Sequence, residues 1–309
     1  MTSIATPPPA TATGQPVPAP VFTPPTDPAD HERMIRAHAA AARTLHVRAH
    51  GASIWGFKGR TLSRRADQDR WLRVVSAPLD RPLGITWDGT VRADTLLPRS
   101  VPRPRVHDLL EWTGPAHRYR AELSEYLARP ALQSGGPVLN QDLDLPASWW
   151  ADLRAALTAT ATVPTSRRAV RQQWIDRHFD RLLGIPPIQV TSWTTGHGDL
   201  HVGNLLPPPL VIVDWEGWGR MPTGFDIGLF HAYSLPAPAT AARIRAVFLD
   251  VLQTEEGRDG ELVALAQLLQ VSERGGHPGL TPYLVRRVEQ LTGTPVPPVP
   301  RPLQAAART

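Results

Sequence analysis

Residues 197–216 read HGDLHVGNLLPPPLVIVDWE, and this segment is the most informative part of the chain. It contains a loop with one carboxylate and one amide, Asp199 and Asn204, followed by a proline turn and an apolar strand that ends at Asp214. Mg²⁺ prefers oxygen ligands and is usually held by one or two carboxylates together with substrate phosphates. We expect the hairpin to bring Asn204 and Asp214 to one Mg²⁺, with Asp199 close enough to act as a base for a hydroxyl group.

The spacing of these residues resembles that of the aminoglycoside phosphotransferase and choline kinase superfamily, whose members are relatives of the protein kinases. In that superfamily the loop reads H-G-D-x-x-x-x-N, and the strand that binds the metal ends in D-W-E or a close variant. Carried over residue by residue, the resemblance implies that Asp199 is the catalytic aspartate and that Asn204 and Asp214 bind Mg²⁺. It gives a supporting role to His197 in the loop and to Asp226, which would begin a helix and hold the loop through backbone hydrogen bonds.

The pattern along the rest of the chain predicts an α+β protein with two lobes. Short runs separated by turn residues predict strands over residues 52–57, 61–65, 70–76, 106–112 and 119–127, with a helix over 88–97. Apolar residues spaced by three and four predict helices over residues 147–161, 166–183, 237–252, 260–271 and 280–291.

The resemblance implies a protein-kinase-like arrangement of these elements. We expect a small antiparallel β-rich lobe over residues 29–127, a larger helical lobe over residues 128–292, and a cleft where the lobes meet. The two ends, residues 1–28 and 293–309, are rich in proline and are expected to be extended tails.

The resemblance also implies a nucleotide site in the small lobe. The superfamily covers the phosphates with a loop between the first two strands and reaches them with a lysine on the third strand. Here the loop carries Lys58 and Arg60, and the strand position is Arg73, which keeps the charge but is not interchangeable with lysine. The helix that should supply a glutamate partner has only Asp88 and Asp94. Arg73 as an outward-facing strand residue, and Lys58 and Arg60 as solvated turn residues, stay open as alternatives.

The segment over residues 122–127 resembles the strand and hinge that join the lobes in the superfamily. Backbone N–H and C=O groups of such a hinge bind the purine edge, so the side chains do not distinguish ATP from GTP. Glu125 and Tyr126 are the residues expected to contact the nucleotide. The alternative is that Glu122 and Glu125 are paired surface acids.

The resemblance implies an enzyme that transfers the γ-phosphoryl group of ATP or GTP to a hydroxyl group of a small molecule, with Mg²⁺ as cofactor. One alternative is a catalytically inactive kinase-like protein that binds nucleotides or acts as a scaffold, because of Arg73 and the missing helix glutamate. Another is a metal-dependent hydrolase, because residues 197–201 also form an H-x-D-x-H cluster in which His201 would be a ligand. The other nine histidines are scattered, without a second paired motif.

Composition limits the other function classes. The net charge is +5, with 32 arginines and one lysine, but no run of basic residues interleaved with aromatics predicts a nucleic-acid partner. No apolar run approaches the roughly 20 residues that cross a membrane, and the absence of cysteine fits a cytoplasmic location. Residues 146–309 hold 15 basic and 14 acidic side chains, so an acidic pocket for a polycationic aminoglycoside is not evident. The acceptor and the oligomeric state stay open.

Overall fold

The small lobe is built on one antiparallel sheet of five strands, in which the last strand along the chain lies between the third and the fourth. The computed structural model describes residues 22–298, so the outer parts of the two predicted tails lie outside the described residues. The strands are Ala49–Trp55 (β1), Thr61–Ala66 (β2), Arg70–Pro78 (β3), Val106–Thr113 (β4) and His117–Glu125 (β5). All five predicted strands are present, and three of them begin at the predicted residue.

A long helix, α1 (Pro28–Thr44), covers one face of this sheet and was not predicted. It begins where the carboxylate of Asp27 accepts a hydrogen bond from the backbone N–H of Ala29 at 2.7 Å, with proline at the first helical position. Its buried side is mostly alanine with Met34, and it packs on the apolar side chains of β2, β3 and β5. The strands alternate, so Arg73 and its neighbours two residues away on β3 face the cleft on the other side of the sheet.

The large lobe is mainly helical. The helices and strands of the large lobe are Ala147–Ala161 (α3), Gln172–Leu183 (α4), Trp193–Gly196 (β6), Gly219–Pro222 (β7), Phe225–Ser234 (α5), Pro238–Val247 (α6), Leu249–Leu252 (α7), Glu255–Glu273 (α8) and Thr281–Thr292 (α9). The short helix Gly89–Leu96 (α2) precedes them in the chain and belongs to the small lobe. The predicted fold class, an α+β fold with a β-rich first lobe and a helical second lobe, is confirmed. Within residues 22–298, no helix combines the length and apolar character that crossing a bilayer requires.

Two predicted helices differ from the structure for local reasons. The helix expected over 166–183 begins only at Gln172, because the N–H groups of Ala169 and Val170 both donate to the carbonyl of Arg220 instead of continuing a helix. The helix expected over 237–252 is interrupted at Phe248, whose backbone leaves the helical region (φ −115°, ψ 28°). In place of a first helical turn, residues 167–170 pair with the backbone of Arg220 on β7.

A buried carboxylate joins three helices of the large lobe. Glu261 of α8 is fully buried. It accepts hydrogen bonds from Nδ1 of His231 on α5 at 3.0 Å and from Nε and Nη2 of Arg287 on α9 at 2.7 and 2.9 Å. Burial opposes ionisation, but the bonds from His231 and Arg287 outweigh it and lower the pKa of Glu261 to about 2.

We predict that Glu261→Gln lowers the free energy of unfolding by on the order of 3 kcal/mol at neutral pH. A carboxyl group whose pKa is depressed on folding stabilises the protein above its unfolded pKa and loses that contribution as pH falls toward the folded value. The difference between wild type and variant should therefore be full at pH 7 and shrink from about pH 4.5 toward pH 2. Urea unfolding at several pH values measures it, with the exposed Glu256→Gln on the same helix as control; a difference independent of pH would contradict the prediction.

Candidate active site

The loop that follows β6 is fixed at its start by Asp226. This carboxylate, in the first turn of α5, accepts hydrogen bonds from the backbone N–H groups of His197 and Gly198, at 2.5 and 2.9 Å. Burial raises the pKa of Asp226, against the pull of His197 and of these two donors. Gly198 has φ +88°, and a Cβ there would lie 2.7 Å from the carbonyl oxygen of Gly217, so only glycine fits this turn.

His197 holds the same loop to the segment that leads to Asp214. The side chain is fully buried, and its Nε2 donates to the carbonyl oxygen of Val213 at 2.8 Å. Its Nδ1 accepts the N–H of Asp199 at 3.3 Å. Both ring nitrogens are therefore engaged by the backbone, which removes His197 as a metal ligand and argues against the H-x-D-x-H hydrolase alternative.

Asp199 lies in the middle of the loop, with its side chain about half exposed (52%). The N–H of Gly203 donates to Nδ1 of His201 at 3.1 Å, so Nε2 of His201 carries the ring hydrogen and lies 3.5 Å from Oδ2 of Asp199. Burial opposes ionisation of Asp199, but the hydrogen bond and electrostatic effect of His201, the electrostatic effect of His197 and the amide of Asn204 hold the pKa of Asp199 below its ordinary value. Asp199 is thus an ionised carboxylate that can accept a proton.

Asn204 and Asp214 lie side by side on the wall of one cleft. The side-chain Nδ2 of Asn204 donates to the carbonyl oxygen of Asp199 at 2.9 Å. The segment between them is hairpin-like rather than a regular two-stranded ladder: the N–H of Val213 donates to the carbonyl of Asn204 at 2.9 Å, and one bridge joins Leu205 to Ile212. This pairing brings the residue before Asp214 against Asn204, as the sequence analysis expects of the hairpin.

The backbone of Asp214 is in the left-handed region (φ 63°), which is unfavourable for a residue with a side chain, and its carboxylate is exposed to the cleft. An exposed carboxylate beside an amide, both open to one cleft, is a donor set of the kind that Mg²⁺ takes, with the remaining positions left for water and phosphate oxygens. The two residues therefore fit the cation that the sequence analysis assigned to them.

Arg73 lies across the cleft from these residues, on β3, with 19% of its side chain exposed. Its Nη1 is 3.3 Å from Oε2 of Glu122 on β5, and its Nη2 contacts Oε2 of Glu216 in the other lobe. Burial disfavours the charged guanidinium, but the carboxylates of Glu122, Glu216 and Asp214 outweigh burial and raise the pKa of Arg73. Arg73 faces the cleft and is not an outward-facing strand residue.

Neither of the two acids available near α2 pairs with Arg73. Asp88 binds Arg92 and Arg167, and Asp94 lies 3.1 Å from Nε of Arg105. Both helix carboxylates are thus neutralised elsewhere. The alternative that Glu122 is a surface acid is also wrong, because only 2% of the residue is exposed.

Of the two basic loop residues, only Arg60 lines the cleft. Its guanidinium lies over the ring of Phe57 at 5.4 Å, and its charge lowers the pKa of Glu216, although burial raises that pKa more. Lys58 has its ammonium 5.3 Å from the centre of the same ring and is not among the residues that line the cleft. Lys58 is therefore not brought together with the other predicted site residues.

The hinge residues Glu125 and Tyr126 line the opposite end of the cleft. The N–H of Glu125 donates to the carbonyl of Arg105 at 3.0 Å, and that of Tyr126 to the carbonyl of Asp69 at 2.9 Å. Neither N–H is thus free to meet a purine, contrary to the simplest expectation for a hinge. The ring of Tyr126 stacks on Trp71 at 5.9 Å, so these residues can offer a nucleobase aromatic surface instead.

The cleft has a volume of about 700 Å³ and runs between the lobes from the hinge to Asn204 and Asp214. Sequence reasoning missed two acids in it, Glu122 and Glu216. Glu216 belonged to the quoted D-W-E segment but received no role. Glu122 could have been noticed as a carboxylate between two apolar residues of a strand, Ala121 and Leu123, both of which are buried.

Arg167 is a third residue that received no role from the sequence. It links the segment after Asp214 to the residues at the start of α2. Its side chain is 8% exposed and contacts the carboxylate of Asp88. Its nitrogens donate to the carbonyls of Ile85 at 2.7 Å, Glu216 at 3.0 Å and Trp218 at 2.9 Å. The segment after Asp214 is thereby held against the start of α2.

The fold is shared with solved phosphotransferase structures. A thermostable mutant of aminoglycoside phosphotransferase APH(4)-Ia, in ternary complex with ADP and hygromycin B, has a TM-score of 0.51 and 13% identity over 83% of this chain and 97% of that chain. A second mutant, in ternary complex with AMP-PNP and hygromycin B, has a TM-score of 0.51 and 13% identity over 84% and 99%. Amicoumacin kinase in complex with AMP-PNP and Ca²⁺ has a TM-score of 0.48 and 12% identity over 85% and 94%.

Sequence comparisons add nothing to this, since no family model and no curated protein sequence matches the chain. The predicted resemblance to aminoglycoside phosphotransferases is confirmed by the structural matches as a likeness of fold: the chain has their two-lobed, protein-kinase-like architecture.

We predict that Asp226→Asn lowers the free energy of unfolding by about 1–3 kcal/mol, because the two backbone N–H donors bind different carboxylate oxygens and an amide offers only one. Urea unfolding measures this loss, and hydrogen exchange at Gly198 should become faster. The control is Asp250→Asn, which alters an exposed pair with Arg154 and should change stability by less than about 1 kcal/mol. Equal effects of the two substitutions would contradict the prediction.

Proposed function

We propose that this protein is a small-molecule kinase that transfers the γ-phosphoryl group of ATP or GTP to a hydroxyl group of its substrate. The observation that carries the proposal is the pair Asn204 and Asp214 on the wall of a cleft that Arg73 also lines. Asp199 does not line this cleft but lies beside it, where Nδ2 of Asn204 donates to its carbonyl oxygen at 2.9 Å. A proton acceptor, a pair of oxygen ligands for Mg²⁺ and a cation for phosphate are the parts that phosphoryl transfer requires.

The nucleotide would lie along the cleft, with its base near Trp71 and Tyr126 and its phosphates between Arg73 and the pair Asn204 and Asp214. The cleft extends from the hinge to Asn204 and Asp214, and its volume of about 700 Å³ suits a nucleoside triphosphate. Mg²⁺, bound by Asn204 and Asp214, would neutralise charge on the β- and γ-phosphates.

Asp199 would orient the acceptor hydroxyl. As the acceptor oxygen forms its bond to the γ-phosphorus, the bond from that phosphorus to the β,γ-bridging oxygen breaks, and the hydroxyl proton passes to the carboxylate of Asp199. The low pKa of this carboxyl keeps it ionised and ready to accept. Positioning and charge neutralisation would contribute most of the rate.

A second cavity, of about 520 Å³, suggests where the acceptor binds. It is lined by residues 132–143 and His277. The ring of His277 lies 5.8 Å from Tyr233, whose ring lies 5.6 Å from His201 beside Asp199. Asp142 is the one acid among the residues that line it, and its carboxylate already accepts the N–H of Thr240 at 2.8 Å. A lining with a single acid suits a hydroxyl-rich acceptor better than a polycation.

The structural neighbours support the general class of activity. The APH(4)-Ia structures hold a nucleotide together with a small molecule, hygromycin B, and the two cavities here would likewise take a nucleotide and a small-molecule acceptor. The alternative of an inactive, nucleotide-binding or scaffold protein is favoured by one observation, the pairing of Arg73 with two carboxylates. That pairing makes nucleotide binding the property to test first.

We predict that Mg²⁺ with ATP or GTP raises the melting temperature by several degrees, since ligand at 100 times its Kd adds about 2.7 kcal/mol. Asp214→Ala should abolish the Mg²⁺-dependent part, while the exposed Asp180→Ala in the large lobe should keep it. Absence of any shift in the wild type would contradict the proposal.

We predict that Asp199→Asn retains nucleotide binding but lowers phosphoryl transfer on the order of 10²–10⁴-fold, because the amide cannot accept the hydroxyl proton. Slow hydrolysis of ATP, with water as acceptor, provides the measurement before an acceptor is known, and a panel of neutral and cationic polyols then identifies the acceptor. Unchanged turnover in this variant would show that Asp199 has no catalytic part, and nucleotide binding without any Asp199-dependent turnover would favour the scaffold alternative.

A further inference from the structure

A carboxylate from the middle of the sheet faces Arg73. Arg73 on β3 and Glu122 on β5 are directly paired residues of the antiparallel ladder, and both line the cleft. Nη1 of Arg73 is 3.3 Å from Oε2 of Glu122. Opposite residues of neighbouring strands keep their spacing as long as the sheet exists, so the pair is part of the small lobe itself.

A buried glutamate at position 122 costs free energy of folding. It is 2% exposed, and within residues 22–298 its carboxylate has one hydrogen-bond partner, Arg73. Removing a carboxylate from water costs several kcal/mol even when it is paired, and an apolar residue in the centre of a strand avoids that cost. Stability alone therefore does not explain a glutamate here, whereas a need to fix Arg73 does.

Within residues 22–298, no acid at α2 contacts Arg73. The two acids of α2 are bound to other arginines, as described above. The remaining neighbour, Glu216, belongs to the other lobe and lies two residues after Asp214. Its side chain is 30% exposed, against 3% for Glu122. Any change in the angle between the lobes moves Glu216 relative to Arg73, but leaves Glu122 in place.

We propose that Glu122 is a positioning residue that holds the guanidinium of Arg73 toward the nucleotide phosphates. Nη1 stays on Glu122, and Nη2, which contacts Glu216 in this structure, is the group that turns to a phosphate oxygen. A planar guanidinium presents its two Nη groups in fixed directions toward two acceptors, whereas the ammonium of lysine is a compact charge on a flexible stem without that fixed geometry. Arg73 and Glu122 thus act together in binding phosphate. The inference rests on the proposed function, because it assigns Arg73 a nucleotide ligand.

The test is a double-mutant cycle on nucleotide affinity. Calorimetry measures the Kd of AMP-PNP with Mg²⁺ for the wild type, Glu122→Gln, Arg73→Gln and the double variant, and thermal unfolding records stability separately. We expect Glu122→Gln to weaken binding about tenfold, equivalent to roughly 1.4 kcal/mol, and the double variant to bind no more weakly than Arg73→Gln. A merely structural glutamate would lower stability without this dependence on Arg73.

The matched control is Glu111→Gln, which alters the cross-strand pair of Glu111 on β4 with Arg120 on β5, at 2.7 Å, in the same sheet. It should leave the affinity unchanged. Arg73→Lys keeps the charge and does not leave Glu122 unpaired, so it tests the two-acceptor geometry without unfolding the lobe; we expect it to bind as weakly as Glu122→Gln.

Each outcome has one meaning. If the wild type binds AMP-PNP and Glu122→Gln or Arg73→Lys binds equally well, the inference is wrong and the proposed function stands. If the effects of Glu122→Gln and Arg73→Gln simply add, Glu122 does not act through Arg73 and the inference is also wrong. If the wild type binds neither AMP-PNP nor the corresponding GTP analogue, the proposed function fails, and this inference fails with it.

Discussion

Two largely buried arginines, Arg73 of the small lobe and Arg167 of the large lobe, hold together the region where the lobes meet. A buried cation is tolerated only when carboxylates or carbonyls replace its water. Both arginines meet this requirement at the same residue, because Arg73 contacts the side chain of Glu216 and Arg167 binds its backbone carbonyl. One arginine comes from the small lobe and the other from the large lobe. Glu216 is therefore clamped from both sides, and the backbone that carries Asp214 is fixed with it.

This clamp explains how Asp214 keeps an unfavourable backbone conformation. A non-glycine residue in the left-handed region costs of order 1–3 kcal/mol and persists only where its surroundings enforce it. Here the surroundings act on both sides of the residue, through the hydrogen bond of Val213 to Asn204 and through the clamped Glu216. The loop that carries Asp199 is fixed separately by Asp226, and His197 joins this loop to the segment before Asp214 through the carbonyl of Val213. The site thus depends on polar contacts of the backbone more than on apolar packing.

The sequence indicated which residues come together near the cleft better than it indicated which charged residues pair with each other. The spacing of Asp199, Asn204 and Asp214 is local, so a single loop and hairpin bring them together whatever the rest of the chain does. The partner of Arg73 depends instead on the register between β3 and β5, across about fifty residues, which periodicity does not determine. Helix α1 escaped prediction because its buried face is made mainly of alanine, which gives little apolar contrast.

The charged side chains at the polar end of the cleft bear on what Mg²⁺ would contribute to the proposed function. Arg73 faces three carboxyl groups there, those of Glu122, Glu216 and Asp214, and all three act on its charge. The phosphates of the proposed nucleotide would bring further negative charge close to these groups. In the proposed function, a divalent cation at Asn204 and Asp214 would offset this repulsion, and Arg73 would exchange Glu216 for a phosphate oxygen with that positive charge nearby. The cation would then contribute to nucleotide binding as well as to phosphoryl transfer.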